Sequence, residues 1–355
     1  MLDALPMELA DAELRRPLLV TDQGIRRAGL LDRAIGKFQR APAVFDAVAE
    51  NPVFANGDAA AALYRSEACD CVVALGGGSV IDVAKFVSVL ATHGGVVADY
   101  AGVADARIGG TAPLVAVPTT AGTGSEANGT AGIHRDPQTI AVGIFSRHVL
   151  PNLVILDPDM TRSLPARLTA ATGIDALSHC IEGYLSANDI PFFDAIALDG
   201  IIRVVRYLAR ATADGADIEA RTNLLLAGYA GGVAINMGLG PAHAIAISCG
   251  DQGFHHGILS GIGLVVALDH MASHRPDRAA AIRRAMELGQ DDSLATAIAD
   301  MMRDGGLPTS LAELGYVVDH PERLAREAHQ SFFNTSAFHH PRLEEYDAMI
   351  RASAS

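Results

Sequence analysis

The stretch Cys71-Val-Val-Ala-Leu-Gly76-Gly77-Gly78-Ser79-Val-Ile-Asp82-Val-Ala-Lys85 constrains the fold more than any other. Five apolar residues in a row, uncharged and not alternating, read as a strand buried on both faces, which is the habit of a parallel sheet. Three glycines then turn the chain into an apolar helical run. Parallel strands need crossover connections, so one such unit implies others. Short apolar strands indeed recur at Pro17–Asp22, Ala41–Val48, Ala112–Thr119 and Leu153–Asp157, with helix-like stretches at Gly24–Phe38 and Asp58–Ser66 between them. Asn128–Phe145 reads instead as a hairpin, with Asp136-Pro137 in its turn.

Beyond about Pro158 the strand signals stop, and Ala/Leu/Ile/Arg-rich helical stretches run from Leu164 onward. The expectation is an α/β domain with a mostly parallel sheet over residues 1–160 and an all-helical domain over residues 161–355. A length of 355 residues exceeds what a single core usually serves, which agrees with two domains. No run of 18 apolar residues suggests a membrane span. A net charge of −14, with lysine only at Lys37 and Lys85, argues against the basic patch that nucleic acid or an anionic membrane requires. The four cysteines, Cys69, Cys71, Cys180 and Cys249, form no C-x-x-C pair, and no signal peptide precedes the first strand, so a reduced cytoplasmic setting is expected.

The glycine loop at residues 76–78 has a chemical use. Without Cβ atoms, backbone N–H groups approach an anion closely, and the following helix contributes unpaired donors and its positive dipole end. The bland alternative is a tight strand–helix turn, and the loop is not the G-x-G-x-x-G fingerprint. A second strand-end loop, Pro118-Thr119-Thr120-Ala-Gly122-Thr123-Gly124-Ser125, is rich in hydroxyls and suits a ribose or phosphate. Asp22, at the tip of the first strand, suits the two hydroxyls of an adenosine ribose and would repel a 2′-phosphate; equally, it suits the N-cap of the next helix.

In the helical half, Ala171-Thr-Gly-Ile-Asp175-Ala-Leu-Ser-His179 sets a carboxylate and an imidazole four residues apart, hence on one helix face. Such a pair is either a surface ion pair or half of a metal site. Gly240-Pro-Ala-His243 and His255-His256-Gly257 offer the other half.

Val-Thr-Asp22, Asn51-Pro52, Gly76-Gly-Gly-Ser79, Pro118-Thr-Thr-Ala-Gly-Thr123, Leu-Asp157-Pro, the Asp175/His179 stretch and His243 through His256-Gly257 together resemble the iron-activated alcohol dehydrogenases, in the family's order and over nearly the whole chain. The resemblance implies a dehydroquinate synthase-like architecture and hydride transfer between NAD (or NADP) and a small alcohol or its aldehyde or ketone, in a homodimer. It implies a metal, Fe2+ or in its place Zn2+, held by Asp175, His179, His243 and His256. It further implies nucleotide contacts from Asp22, Asn51, Gly76, Gly77, Gly78, Ser79, Asp82, Thr119, Thr120 and Thr123. The runner-up is an NAD- and metal-dependent lyase of the dehydroquinate-synthase type, whose sites grip phosphorylated acids with several cations; here lysine is scarce.

Four features depart from the family pattern. The chain begins at what resembles the family's first helix, without the usual opening strand. Ala141 stands where a lysine is usual, Ile247 stands where a second histidine often follows the third ligand, and the interval from His243 to His256 is one residue short. Ile247 cannot relay a proton, so His255 is the candidate relay, its alternative being a solvent-facing bystander. Substrate-pocket candidates are residues 183–188, Phe254 and residues 332–342; in the last, His340 and Arg342 suit either an acidic substrate or a helix-capping surface cluster.

Overall fold

The computed structural model describes residues 1–103 and 108–354, which divide into two compact units. The first comprises residues 1–120 and 125–163; the second comprises residues 121–124 and 164–355.

Unit one is built on a five-stranded parallel sheet. Its strands are β1 (Pro17–Val20), β2 (Ala43–Phe45), β3 (Cys71–Gly76), β4 (Leu114–Pro118) and, after the hairpin, β7 (Leu153–Val154), in the order β2-β1-β3-β4-β7. The hairpin pairs β5 (Thr130–Ile133) antiparallel with β6 (Val142–Phe145), as its turn residues imply. Alternation along β3 sends Val72 and Ala74 into one apolar cluster with α4 (Phe54–Ser66) and α5 (Gly78–His93). Cys71, Val73 and Leu75 go into another with α1 (Leu5–Asp11) and α3 (Leu30–Ile35). Burial of both faces explains why the strand reads as a continuous apolar run.

The helical stretch expected over 24–38 is two short helices, α2 (Gln23–Arg27) and α3, because Gly29 adopts φ +73° and breaks the run. The sheet reverses its winding direction between β1 and β3: β2 lies outside β1, and β4 outside β3. The crevice at the carboxyl ends of two such strands is where doubly wound sheets receive ligands. Asp22 follows β1 and the glycine loop follows β3.

Unit two is helical. It contains α6 (Ala166–Leu185), α7 (Pro191–Ala213), α8 (Ile218–Ile235), α9 (Pro241–Ser248), α10 (His256–Ser273), α11 (Pro276–Ala285), α12 (Leu294–Asp304), α13 (Leu311–Leu314), α14 (Pro321–His329) and α15 (Leu343–Ser353). Helix α6 is buried nearly all round from Thr169 to Leu185, so it is the axis on which the others pack. Helix α10 is long and apolar enough to cross a membrane by composition, and most of it is buried in this core.

The helices that flank α6 come unusually close. A Cβ at Gly257 of α10 would strike the Ala171 carbonyl of α6, and one at Gly263 would strike the Ala242 carbonyl of α9. Backbone therefore meets backbone at both crossings.

Candidate functional site

The geometry draws four side chains of unit two together. Asp175 and His179 project from α6, His243 from the first turn of α9 and His256 from the start of α10, with one donor atom of each within 4.8 Å of the others. Asp175 Oδ1 stands 3.8 Å from His179 Nε2 and 3.9 Å from His256 Nε2. The His179 and His243 rings stack at 4.8 Å between centroids, and those of His243 and His256 lie 5.4 Å apart. The first three residues are buried, and only the His256 side chain is substantially exposed, at 43%.

Two of these donors lack any partner. Among the described residues, Asp175 Oδ1 and His243 Nε2 are buried without a hydrogen bond, a cost of about 1–3 kcal/mol each if nothing filled the space between them. Burial works to raise the Asp175 pKa, but the imidazoles, His179 foremost, outweigh it and hold the carboxyl below its ordinary range. Burial pushes His179 down to about 4. An ionised Asp175 beside a neutral His179 is the protonation state a divalent cation requires of its ligands. The residues fit such an ion: three imidazoles and one carboxylate suit Fe2+ or Zn2+.

The sequence reading missed Glu182. It lies three residues beyond His179 on the same face of α6 and is fully buried. Its carboxylate accepts the Ala242 N–H at 2.9 Å and the His243 N–H at 3.2 Å, satisfying orphan donors at the start of α9, and it also bonds His243 Nδ1. That last bond fixes the tautomer that leaves Nε2 bare toward the other donors. The signal was available: Asp175, His179 and Glu182 stand at i, i+4 and i+7.

His255 is the N-cap of α10, its Nδ1 accepting the Gly257 N–H at 3.1 Å. The cap leaves Nε2 as the nitrogen able to exchange a proton. His256 Nε2 also lies 3.3 Å from Ser260 Oγ.

In unit one, the expected nucleotide residues collect at the carboxyl ends of β1, β3 and β4. Asp22 caps α2, its Oδ1 accepting the Ile25 N–H at 2.9 Å. Gly76 pairs with Pro118 across β3 and β4, and the Thr119 N–H donates to the Gly76 carbonyl at 3.0 Å, which brings the two strand-end loops together. Gly77 is the N-cap of α5, and a Cβ there would press on the Thr120 side chain at 3.1 Å. The amides of Gly78 and Ser79 precede the first intrahelical bond of α5 and so remain for an anion. Ser79 Oγ donates to the Glu50 carbonyl at 2.6 Å, tying the loop to the chain beside the exposed Asn51.

Asp82 is turned inward, accepting from Ser125 Oγ and from the Gly132 N–H at 2.8 Å. Thr123 belongs to unit two, in the 121–124 loop.

A second feature escaped sequence reasoning. Lys85, wholly buried, donates to the carbonyls of Ser125 (2.6 Å), Asn128 (3.0 Å) and Thr130 (2.5 Å), and so stitches the hydroxyl-rich loop to α5. Burial lowers its pKa to about 8 and raises that of neighbouring Glu126 to about 7. In the 332–342 segment, Arg342 is the N-cap of α15 and pairs with Glu345, and His340 Nε2 meets the His329 carbonyl at 3.0 Å. That is the capping surface cluster rather than an anion grip.

Comparison with known proteins gives these features a context. The family described as iron-containing alcohol dehydrogenase matches residues 1–158, and its C-terminal domain matches residues 169–354. The 4-hydroxybutyrate dehydrogenase of Cupriavidus necator is 44% identical over 86% of this chain and 84% of its own length. The NAD-dependent methanol dehydrogenase of Bacillus methanolicus is 34% identical over 88% of this chain and 86% of its own. A crystal structure of a 1,3-propanediol oxidoreductase superposes with a TM-score of 0.93 at 30% identity, covering 99% of this chain and 95% of that one. With both halves matched and the buried Asp175 and three-histidine set in place, the chain belongs to the iron-containing alcohol dehydrogenase family.

Proposed function

We propose that this protein interconverts a small primary alcohol and its aldehyde with NAD and a divalent iron ion, using Asp175, His179, His243 and His256 as the metal ligands. The observation that carries this reading is the buried pair of unpartnered donors, Asp175 Oδ1 and His243 Nε2, in a protein of this family. When bound, the cation polarises the substrate oxygen as a Lewis acid, and the nicotinamide takes or gives the hydride. The chain's own part is positional. Glu182 orients His243; Asp175 stays ionised; the amides of Gly78 and Ser79 receive the pyrophosphate at the helix N-terminus; Asp22, through its remaining carboxylate oxygen, receives the adenosine ribose and disfavours NADP. His255, through Nε2, supplies the proton that the reduced substrate oxygen takes up.

The alcohols named for the relatives, 4-hydroxybutyrate, methanol and 1,3-propanediol, define the panel to test. Protein loaded with Fe2+ and given NAD should raise nicotinamide absorbance with at least one of them. Silence across the panel, and across the corresponding aldehydes with NADH, would refute the reading. The lyase alternative is disfavoured because both lysines are engaged, Lys85 in the interior and Lys37 with Asp3, leaving no lysine cluster for a phosphorylated acid. Four free cysteines, three of them buried, agree with a cytoplasmic setting. A homodimer is the assembly we propose, to be measured by light scattering.

A further inference from the structure

A second group of imidazoles lies at the opposite end of α10. His270 and His274, one turn apart at its C-terminus, meet His339 from the non-helical segment between the Phe332–Ser336 turn and α15, with one nitrogen of each within 4.8 Å of the others. Ring centroids are 4.7 Å apart for His270 and His274, 5.3 Å for His270 and His339, and 3.7 Å for His274 and His339. From His256 to His270 is 14 residues of helix, roughly 21 Å at the helical rise, so this group is distinct from the Asp175 set.

We propose that His270, His274 and His339 form a binding site for a divalent transition cation of the zinc class. Two observations converge on it. His270 Nε2 is buried and has no hydrogen-bond partner among the described residues, an orphan that a cation would satisfy. His274 Nδ1 donates to the His270 carbonyl at 2.9 Å, which fixes its tautomer and leaves Nε2 as a bare lone pair, the outer-sphere arrangement found behind metal-ligating histidines.

The donor set selects the ion. Three imidazoles without a carboxylate suit Zn2+, Cu2+ or Ni2+ and not the oxygen-seeking Mg2+ or Ca2+. The neighbouring Glu345 carboxylate is taken by Arg342 and does not join. His274 is only half-buried, which leaves room for a water to complete the coordination. The His274 and His339 rings are stacked, 6° from parallel, and their lone pairs do not yet converge; binding turns the His339 ring edge-on, a movement its non-helical segment allows. The bound ion would then staple residues 337–342 to the end of α10. Phe338 and His339 of that segment line a small cavity with Glu182 and Met271, so the staple also closes the outer side of the Glu182 support.

The test is a zinc titration of the full-length protein already loaded with one equivalent of metal and freed of excess. Calorimetry should report one further equivalent of Zn2+ for the wild type, with Co2+ giving visible absorption bands and Mg2+ giving no heat. His339→Ala should weaken that second equivalent by at least about 100-fold and leave the unfolding midpoint of the zinc-free protein unchanged. His256→Ala should keep the second equivalent whatever becomes of the first, which separates this site from the dehydrogenase reading. A wild type that takes up no second equivalent, or a His339→Ala protein that takes it up equally well, overturns the proposal.

Discussion

Glu182 and His243 are bonded side chain to side chain inside the helical unit, with no other acid in reach of that imidazole's Nδ1 among the described residues. One carboxylate serves both the peptide groups that start α9 and the ring that faces Asp175. Its two duties separate by substitution. Glu182→Gln keeps hydrogen-bonding oxygen for the α9 amides but loses the charge on His243, so metal affinity should fall about 10- to 100-fold with the fold intact. Glu182→Ala also strands those amides and should lower stability by about 1–3 kcal/mol. Metal content by elemental analysis, beside thermal melts of both variants, checks this; full metal content in Glu182→Gln refutes it.

Asp22 offers a similar separation. Glycine at an N-cap costs only a few tenths of a kcal/mol relative to aspartate, so Asp22→Gly should leave the melting point nearly unchanged. It should also improve the ratio of kcat/KM for NADPH over NADH by about 10-fold or more, the worth of one removed charge repulsion of ~1.4 kcal/mol. A wild type that already prefers NADPH would show that Asp22 does not face the ribose.

The proton assignment turns on His255, which also caps α10. His255→Asn retains a capping acceptor and removes the imidazole, whereas His255→Ala removes both. Turnover should drop in each, most deeply at high pH where water is the poorer acid, while metal content and cofactor Kd hold steady. Only the alanine variant should also melt early. Unchanged turnover in the asparagine variant would pass the task to a water and ribose-hydroxyl chain.

Glu126 sets a pH dependence in the sheet unit. Its folded pKa, raised by burial to about 7, lies above the ordinary value of 4.5. Between these two values the folded protein holds the proton more tightly than the unfolded chain, so this group's contribution to stability is present below about pH 4.5 and lost as pH rises through 7. Glu126→Gln should flatten that decline in thermal melts taken across the window. An unaltered slope would show that Glu126 is ionised throughout.

The legible part of the site was the part written in side chains at helical spacing. Asp175 and His179 declare a shared face by their interval, and the histidines at 243 and 256 by their glycine and proline surroundings. Glu182 was equally legible by spacing, but an acid without a named partner looks like any solvated charge until α9 arrives beside it. Lys85 was not legible at all. Its partners are the carbonyls of Ser125, Asn128 and Thr130, and carbonyls are common to every residue. The parallel sheet followed from doubly buried strands, whereas the break between α2 and α3 depends on the positive φ of Gly29, which sequence permits without requiring.

The meeting of bare backbones at Gly257 and Gly263 bears on how this protein can change over evolutionary time. Where side chains separate two helices, exchanging a large residue for a small one lets the gap drift, and a ligand polygon drifts with it. Here the helices already touch backbone to backbone, so no substitution can narrow the gap, and any side chain at either glycine would drive a Cβ into a carbonyl. A lineage that needed a different ion could not draw α6, α9 and α10 closer together, and could part them only by breaking these contacts. It would have to change the donor atoms at positions 175, 179, 243 and 256, or the Glu182 carboxylate behind them.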